Sequence, residues 1–369
     1  MTTQVKVQVI DADAHVVETE RTWDYLEPSE QKYRPMLYTS PHNNVSDYWV
    51  IDGEIGGTRF PSLSEQKIEQ LSQNAGRAMG TPRESRELDD VQMRLDHMDQ
   101  LGVDVQVLHN TIWLETVTTW PDTQAALCRS WNKWLADIWK QGNGRLRWSC
   151  VVPDLMIDEA INQIRFSKEN GAVAVCMKPL EGDRLLTDPY FHPVFEEAQR
   201  LDMAIAIHIA NGNRRNVRLW TSTPAVGEGQ SNSGFSVFRG PTVVLSWVLL
   251  MSNMSELFPN LRWAFIEASS QWVPWIYKEV ENRYKTSGRD FPDDLFGSKK
   301  VYVTCETHDD LPWVLKYAGE DSLVVGTDYG HLDPSSDTNA ILAFQQLEEI
   351  GPESKERILH HNPKRLYAL

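Results

Sequence analysis

Cysteine is scarce. The four in 369 residues (Cys128, Cys150, Cys176 and Cys305) are scattered and form no C-x-x-C pair. That argues against a dithiol redox centre and a cysteine-built zinc site. It fits a reducing, cytoplasmic setting where thiols pack as small apolar groups. Long hydrophobic runs are missing too: the richest, residues 243–251, is far shorter than the roughly 20 residues that span a bilayer. The N-terminal residues show no charged stretch followed by an apolar one, so no signal peptide is expected. Basic charge is in deficit, with 36 Lys and Arg against 52 Asp and Glu and a net charge of −16. An acidic surface argues against nucleic acid or membrane as the main partner and leaves a small-molecule substrate. Tryptophan, by contrast, is plentiful at 14, enough for core packing and for an aromatic pocket.

The rest of the chain is organised around its first strand. Val5, Val7, Val9 and Ile10 alternate and run into Asp11-Ala12-Asp13-Ala14-His15-Val16-Val17-Glu18. Asp13 and His15 lie two apart, so they share one strand face. At a barrel mouth that face looks inward, where a divalent metal could sit. Residues 19–80 carry no sustained period. A short helix over 22–26 is ended by Pro28, and a hairpin over 48–55 turns at Asp52-Gly53. This early loop-rich insertion is expected to be a lid or a subunit contact.

From residue 84 the pattern becomes regular. Helical spacing over 84–101 precedes a strand over 103–108, and the helix over 123–140 precedes a strand over 146–151. Helix 157–169 leads to strand 172–177, helix 190–201 to strand 203–207, and a polar loop over 211–240 follows. An apolar helix over 241–257, strand 261–266, helix 272–284, strand 301–304, helix 309–317, strand 322–326 and helix 337–349 complete the chain. Eight strand–helix units predict an α/β fold, a (β/α)8 TIM barrel built from residues 1–369 as one domain. An open doubly wound sheet would bring a glycine-rich phosphate turn after its first strand. Asp-Ala-Asp-Ala-His cannot serve as one.

In a parallel barrel all strand carboxyl ends lie at one rim, which holds the active site. Here those ends carry Asp13 and His15, His109, Lys178, His208, Glu267, Cys305-Glu306 and Thr327-Asp328. His208 ends an apolar strand, where a buried imidazole is costly without a partner. Asp328 follows another, where an anion calls for a cation. Lys178 has two readings, a metal ligand or the partner of a nearby acid. His109 reads as support or packing. His42, His97, His192, His360 and His361 read as surface residues, and nothing in sequence activates Cys176. Trp113, Trp272 and His331 lie where they could line a substrate pocket, and the polar loop 211–240 could gate it.

Nearly the whole chain resembles the amidohydrolase superfamily, in the amidohydrolase 2 branch related to aminocarboxymuconate-semialdehyde decarboxylase. The likeness rests on the first-strand motif, Leu185-Leu186-Thr187-Asp188-Pro189-Tyr190, the strand ending at His208, and Leu257-Phe258-Pro259-Asn260-Leu261 through Glu267. Gly326-Thr327-Asp328-Tyr329-Gly330-His331 and Asn362-Pro363-Lys364-Arg365-Leu366 extend it. The resemblance implies a metal held by Asp13, His15, His208 and Asp328, with Asp328 also shuttling a proton. It implies a bridging role for Lys178 if the site holds two metals, and a homo-oligomer. The chain departs from the family's commoner pattern in having Asp13 for the first His of a His-x-His motif and Glu267 where many members have His.

Two carboxylates and two imidazoles suit one or two Zn, Mn or Fe ions. The expected enzyme is a metal-dependent hydrolase that uses activated water on an ester, lactone, thioester or amide of a fairly large apolar or aromatic molecule. Asp328 and Glu267 are its candidate acid–base groups. The alternative is non-oxidative decarboxylation of an aromatic or unsaturated acid, with Lys178 or Arg214 holding a carboxylate.

Overall fold

The structure, a computed structural model, describes residues 7–39, 47–59, 63–221, 234–333 and 335–369. Eight strands form its centre: β1 (Ile10–His15), β2 (Val105–His109), β3 (Leu146–Val151), β4 (Ala172–Met177), β5 (Ala204–His208), β6 (Trp263–Ile266), β7 (Val301–Cys305) and β8 (Leu323–Val325). They lie side by side in chain order in one sheet, and every neighbouring pair is parallel. The strands are almost wholly buried, because helices cover the outside and side chains fill the inside. That explains sequences such as Ala-Val-Ala-Val-Cys-Met and Ala-Ile-Ala-Ile-His, which do not alternate apolar with polar.

The barrel closes between β8 and β1. The amides of Thr327 and Asp328 donate to the Asp13 carbonyl at 3.1 and 2.9 Å, and the His15 amide donates to the Tyr329 carbonyl at 2.8 Å. The Asp11 carboxylate reinforces this seam by accepting from the Thr327 amide at 3.0 Å and its hydroxyl at 2.6 Å. Gly326 permits the approach, since a Cβ there would stand 2.2 Å from Asp13 Cβ. The barrel interior is filled by small and branched side chains, among them Ala12, Ala174, Ala206 and Ala264. Leu366 and Tyr367 of the C-terminal helix Asn362–Tyr367 join this cluster, and the Tyr367 hydroxyl donates to the Ala12 carbonyl at 2.8 Å.

The insertion is more regular than its sequence suggests. It holds two 3-10 helices (Glu20–Tyr25 and Pro28–Tyr33), an antiparallel sheet (Met36–Thr39, Asp47–Ile51 and Glu54–Arg59) and a helix (Glu65–Ala75). The Asp52-Gly53 turn has φ of 52° and 82°, the positive values that a tight hairpin demands. The expected helix over 84–101 is two, Arg83–Arg86 and Val91–Gln100. The break falls where Leu88 takes a φ of 55° and Asp90 caps the second helix through the Met93 amide. The 211–240 loop contains a helix, Arg214–Thr221, and a π-helical turn, Gly234–Arg239. Its residues 222–233 lie outside the described residues, as does His42. The turn runs on into the helix Gly240–Met251. Together they make 18 residues, long and apolar enough to cross a bilayer and one third buried.

Replacing Gly326 by Ala should destabilise the fold by about 1–3 kcal/mol, the usual cost of forced overpacking. Urea unfolding of the purified variant measures it, and an unchanged midpoint would show that the seam has slack.

Candidate metal centre

β1 delivers Asp13 and His15, β5 delivers His208, and Glu267 and Asp328 follow β6 and β8. All five are buried. The His15 Nδ1 lies 2.9 Å from the Asn110 carbonyl and the His208 Nδ1 3.2 Å from the Ile209 carbonyl. A carbonyl only accepts, so both Nδ1 atoms carry the proton and both Nε2 atoms present a bare lone pair. Those two Nε2 atoms face each other at 3.0 Å. Around them stand Asp13 Oδ1, Glu267 Oε2 and Asp328 Oδ1, at 3.4, 3.6 and 3.4 Å from His15 Nε2. None of these three oxygens receives a hydrogen bond. Buried lone pairs aimed at one point repel unless something positive lies among them. A divalent cation would fit among them, and the side chains that could hold it form two overlapping sets: Asp13, His15, His208 and Glu267, and His15, Glu267, Asp328 and His331. The backbone carbonyls on Nδ1 orient the rings as metal-bound imidazoles are usually oriented.

Electrostatics points the same way. Burial, then the charges of Asp328 and Asp333, pushes Glu267 well above the carboxylate range. Burial, then Asp333 and Asp13, does the same to Asp328. Burial keeps His15 and His331 neutral by pushing both below the usual imidazole value. The cluster thus holds protons where a cation could replace them. Glu267 and Asp328 also take φ values of 63° and 49°. Such left-handed backbone costs of order 1–3 kcal/mol in residues with a Cβ and gathers at functional sites.

His331 extends the group. Its ring stacks on His15 at 3.7 Å between centroids. Its Nε2 lies 2.9 Å from Thr111 Oγ1, whose own proton goes to the Val16 carbonyl at 2.8 Å. The hydroxyl therefore accepts from Nε2–H, and Nδ1 is left with a lone pair 2.9 Å from Asp328 Oδ1. A proton or a cation must sit beside that pair, and Asp328 is the neighbour primed to hold a proton. Ser336 donates to the other Asp328 oxygen at 2.6 Å.

A cavity of about 680 Å³ opens over Glu267 and His331. Its walls come from the insertion hairpin (Tyr48, Ile55), from the segment after β2 (Ile112, Leu114) and from Phe235 and Phe238, with Arg239 on one side. Arg239 is paired to Glu306 at 2.9 Å.

The Amidohydrolase family profile matches residues 10–369. The chain belongs to that family. No curated protein matches it, but solved structures do. An amidohydrolase from Mycobacterium avium subsp. paratuberculosis K-10 is 15% identical with a TM-score of 0.79, covering 99% of each chain. The 5-carboxyvanillate decarboxylase LigW from Sphingomonas paucimobilis is 16% identical with a TM-score of 0.64, covering 99% of this chain and 100% of that one. The 5-carboxyvanillate decarboxylase of Novosphingobium aromaticivorans DSM 12444, complexed with manganese and 4-hydroxy-3-methoxy-5-nitrobenzoic acid, is 14% identical with a TM-score of 0.66, covering 99% and 97%. At such identities the likeness establishes the barrel fold.

In this amidohydrolase the sequence-derived candidates separate. Asp13, His15, His208 and Asp328 converge, and Glu267, expected first as an acid–base group, stands among them. Lys178 stands apart. Its Nζ pairs with Glu181 Oε2 at 2.7 Å, and the two face a small recess beside Cys176, Trp113 and His208. Glu181 is the neighbouring acid that the strand pattern leaves unnamed, since it sits in a two-residue strand, Leu180–Glu181, hairpinned to Arg184–Leu185 beyond β4. Trp272 packs on Phe265 and Phe296, with centroids 5.7 and 6.5 Å away, and does not line the cavity. Trp113 packs between Trp23 and Trp131 and meets the recess rather than the cavity. His331 does line the cavity. Arg214 pairs with Glu54 at 3.1 Å. His97 is not a free surface residue, for its Nδ1 lies 2.7 Å from the Tyr329 hydroxyl. Thr111, Ser336 and Arg239 carry no sequence signal, because their roles depend on partners far along the chain.

Stripping the purified protein with a chelator should lower its Tm, and restoring Mn, Zn or Fe should recover it. Saturation at 100 times Kd is worth about 2.7 kcal/mol. Glu267→Gln and Asp328→Asn should each retain less metal than wild type by elemental analysis. Wild-type metal content in both variants would remove these carboxylates from the centre.

Proposed function

We propose that this amidohydrolase is a metal-dependent decarboxylase of an aromatic or unsaturated acid. The observation that carries the reading is that the two buried ligand sets, Asp13–His15–His208–Glu267 and His15–Glu267–Asp328–His331, overlap at His15 and Glu267, with Lys178 tied to Glu181 outside them. That arrangement supports one cation and leaves no lysine bridge for a second. A cation bound there supplies a Lewis acid for the substrate's carboxylate and neighbouring oxygen. Asp328, which accepts from Ser336 and lies 2.9 Å from His331 Nδ1, is the acid assigned to deliver the proton. His331, fixed by Thr111, links Asp328 to the cavity that it lines. In the reaction the bond from ring or vinyl carbon to carboxylate breaks, carbon dioxide leaves, and the electron pair left on carbon takes up the Asp328 proton. The apolar walls suit an aromatic body and exclude water, and Arg239 offers a cation to a further acidic substituent. The decarboxylases among the solved structures of this fold support the same choice.

Hydrolysis is the second reading. It is favoured by the third carboxylate, Glu267, at the centre, which could serve as a base toward water. Its stronger ground, a lysine bridge between two metals, lacks support in the Lys178–Glu181 pair.

The manganese-loaded protein is expected to release carbon dioxide from members of a panel of hydroxybenzoic and unsaturated acids. Asp328→Asn should cost about 10²–10⁴-fold in kcat, the range for loss of a general acid. Turnover of an ester, lactone or amide panel without any carbon dioxide release would overturn the decarboxylase reading in favour of hydrolysis.

A further inference from the structure

Beneath the candidate centre lies a buried cation that the proposed chemistry does not use. Arg94, on the helix Val91–Gln100, has no solvent exposure. A buried guanidinium is costly unless its donors are used, and here they go to β1, to β2 and to the helix Arg83–Arg86. Its Nη1 and Nη2 donate to the His15 carbonyl at 3.2 and 3.3 Å, and Nη1 also reaches the Ser85 carbonyl at 3.4 Å. Its Nε donates to Gln106 Oε1 at 2.7 Å. The Gln106 amide then donates to Asp11 Oδ2 at 2.9 Å, and Asp11 accepts from the amide and hydroxyl of Thr327. The guanidinium lies 3.6 Å over the Tyr329 ring. That ring is itself held, its hydroxyl 2.6 Å from Ser85 Oγ and 2.7 Å from His97 Nδ1.

We infer that Arg94 is a positioning residue for the metal centre, acting on His15 directly and on Asp328 through Gln106, Asp11 and Thr327. The inference rests on the reading of Asp13, His15, His208, Glu267 and Asp328 as metal holders. One arm clamps the peptide of His15, whose amide is already bound to Tyr329. The other arm ends on Thr327, the residue before Asp328. Tyr329, the residue after Asp328, carries the cation on its ring. Asp328, in its left-handed backbone conformation, is therefore bracketed on both sides by groups that answer to one side chain. Closing a barrel does not call for this cation, since backbone pairing and apolar packing could fill the seam. Holding the His15 Nε2 lone pair and the Asp328 Oδ1 atom 3.4 Å apart does call for rigid support. A lysine cannot substitute, because a point-like ammonium lacks the planar fork that spans Gln106 and the His15 carbonyl together.

The test uses the full-length metal-free protein, CoCl2 and isothermal titration, with the visible absorption of bound cobalt as a report on coordination geometry. Arg94→Lys is expected to weaken cobalt binding about 10–100-fold, as loss of outer support commonly does, and to shift the cobalt bands. Gln106→Leu cuts the relay arm alone and should show a smaller change in the same direction. It decides the matter if Arg94→Lys does not fold. Ile164→Val, in the buried helix Ile157–Glu169, lowers stability elsewhere and should leave affinity and spectrum as in wild type. Folded Arg94→Lys and Gln106→Leu proteins with wild-type affinity and bands would overturn the inference while leaving the metal centre standing. Wild-type protein that binds no cobalt, manganese or zinc would overturn the metal reading itself, and this inference with it.

Discussion

The closing seam between the last strand and the first governs this structure. β8 is three residues long and offers few ladder bonds, so its hold on β1 depends on the Asp13 carbonyl, the Asp11 carboxylate and the room left by Gly326. Asp11 is a carboxyl whose pKa burial raises to about 6, and it is stabilised by the very groups it ties together. The same few residues that shut the barrel carry the first and last members of the candidate centre. Fold and site are therefore one construction at this edge, and a change that loosens the seam moves Asp328 relative to His15.

The centre stores unfavourable electrostatics that the fold sustains. Two imidazole lone pairs meet at 3.0 Å, three carboxylate oxygens take no hydrogen bond, and two of the acids sit in strained backbone. The facing lone pairs and bare oxygens cost free energy that a cation would relieve, while the backbone strain is borne by the surrounding fold. The cavity above takes part of its apolar wall, Tyr48 and Ile55, from an insertion that lies outside the barrel repeat.

Much of this is legible in the chain, and the illegible parts have physical reasons. Apolar strands ending in Asp13, His208 and Asp328 stand out because a buried charge or imidazole needs a partner. Strand–helix alternation makes the parallel barrel readable, since each period is a local property. The insertion misleads because its strands are short and half exposed, so a period of two hardly shows. Lys178 misleads for another reason: its partner Glu181 lies in a two-residue hairpin strand, too short for any period to show which way a side chain turns. The tryptophans Trp113 and Trp272 sit at strand ends and still face helices, because the turn after the strand sets their direction.

By itself the sequence determined the barrel, the rim on which its chemistry lies and the acids and imidazoles gathered there, because burial and strand period are written residue by residue. Only the tertiary structure decided that Glu267 stands in the buried cluster while Lys178 pairs with Glu181 outside it, that Arg239 faces the cavity and that Arg94 reaches the His15 carbonyl. Those outcomes depend on distances between residues far apart in the chain, and such distances exist only once the barrel has closed.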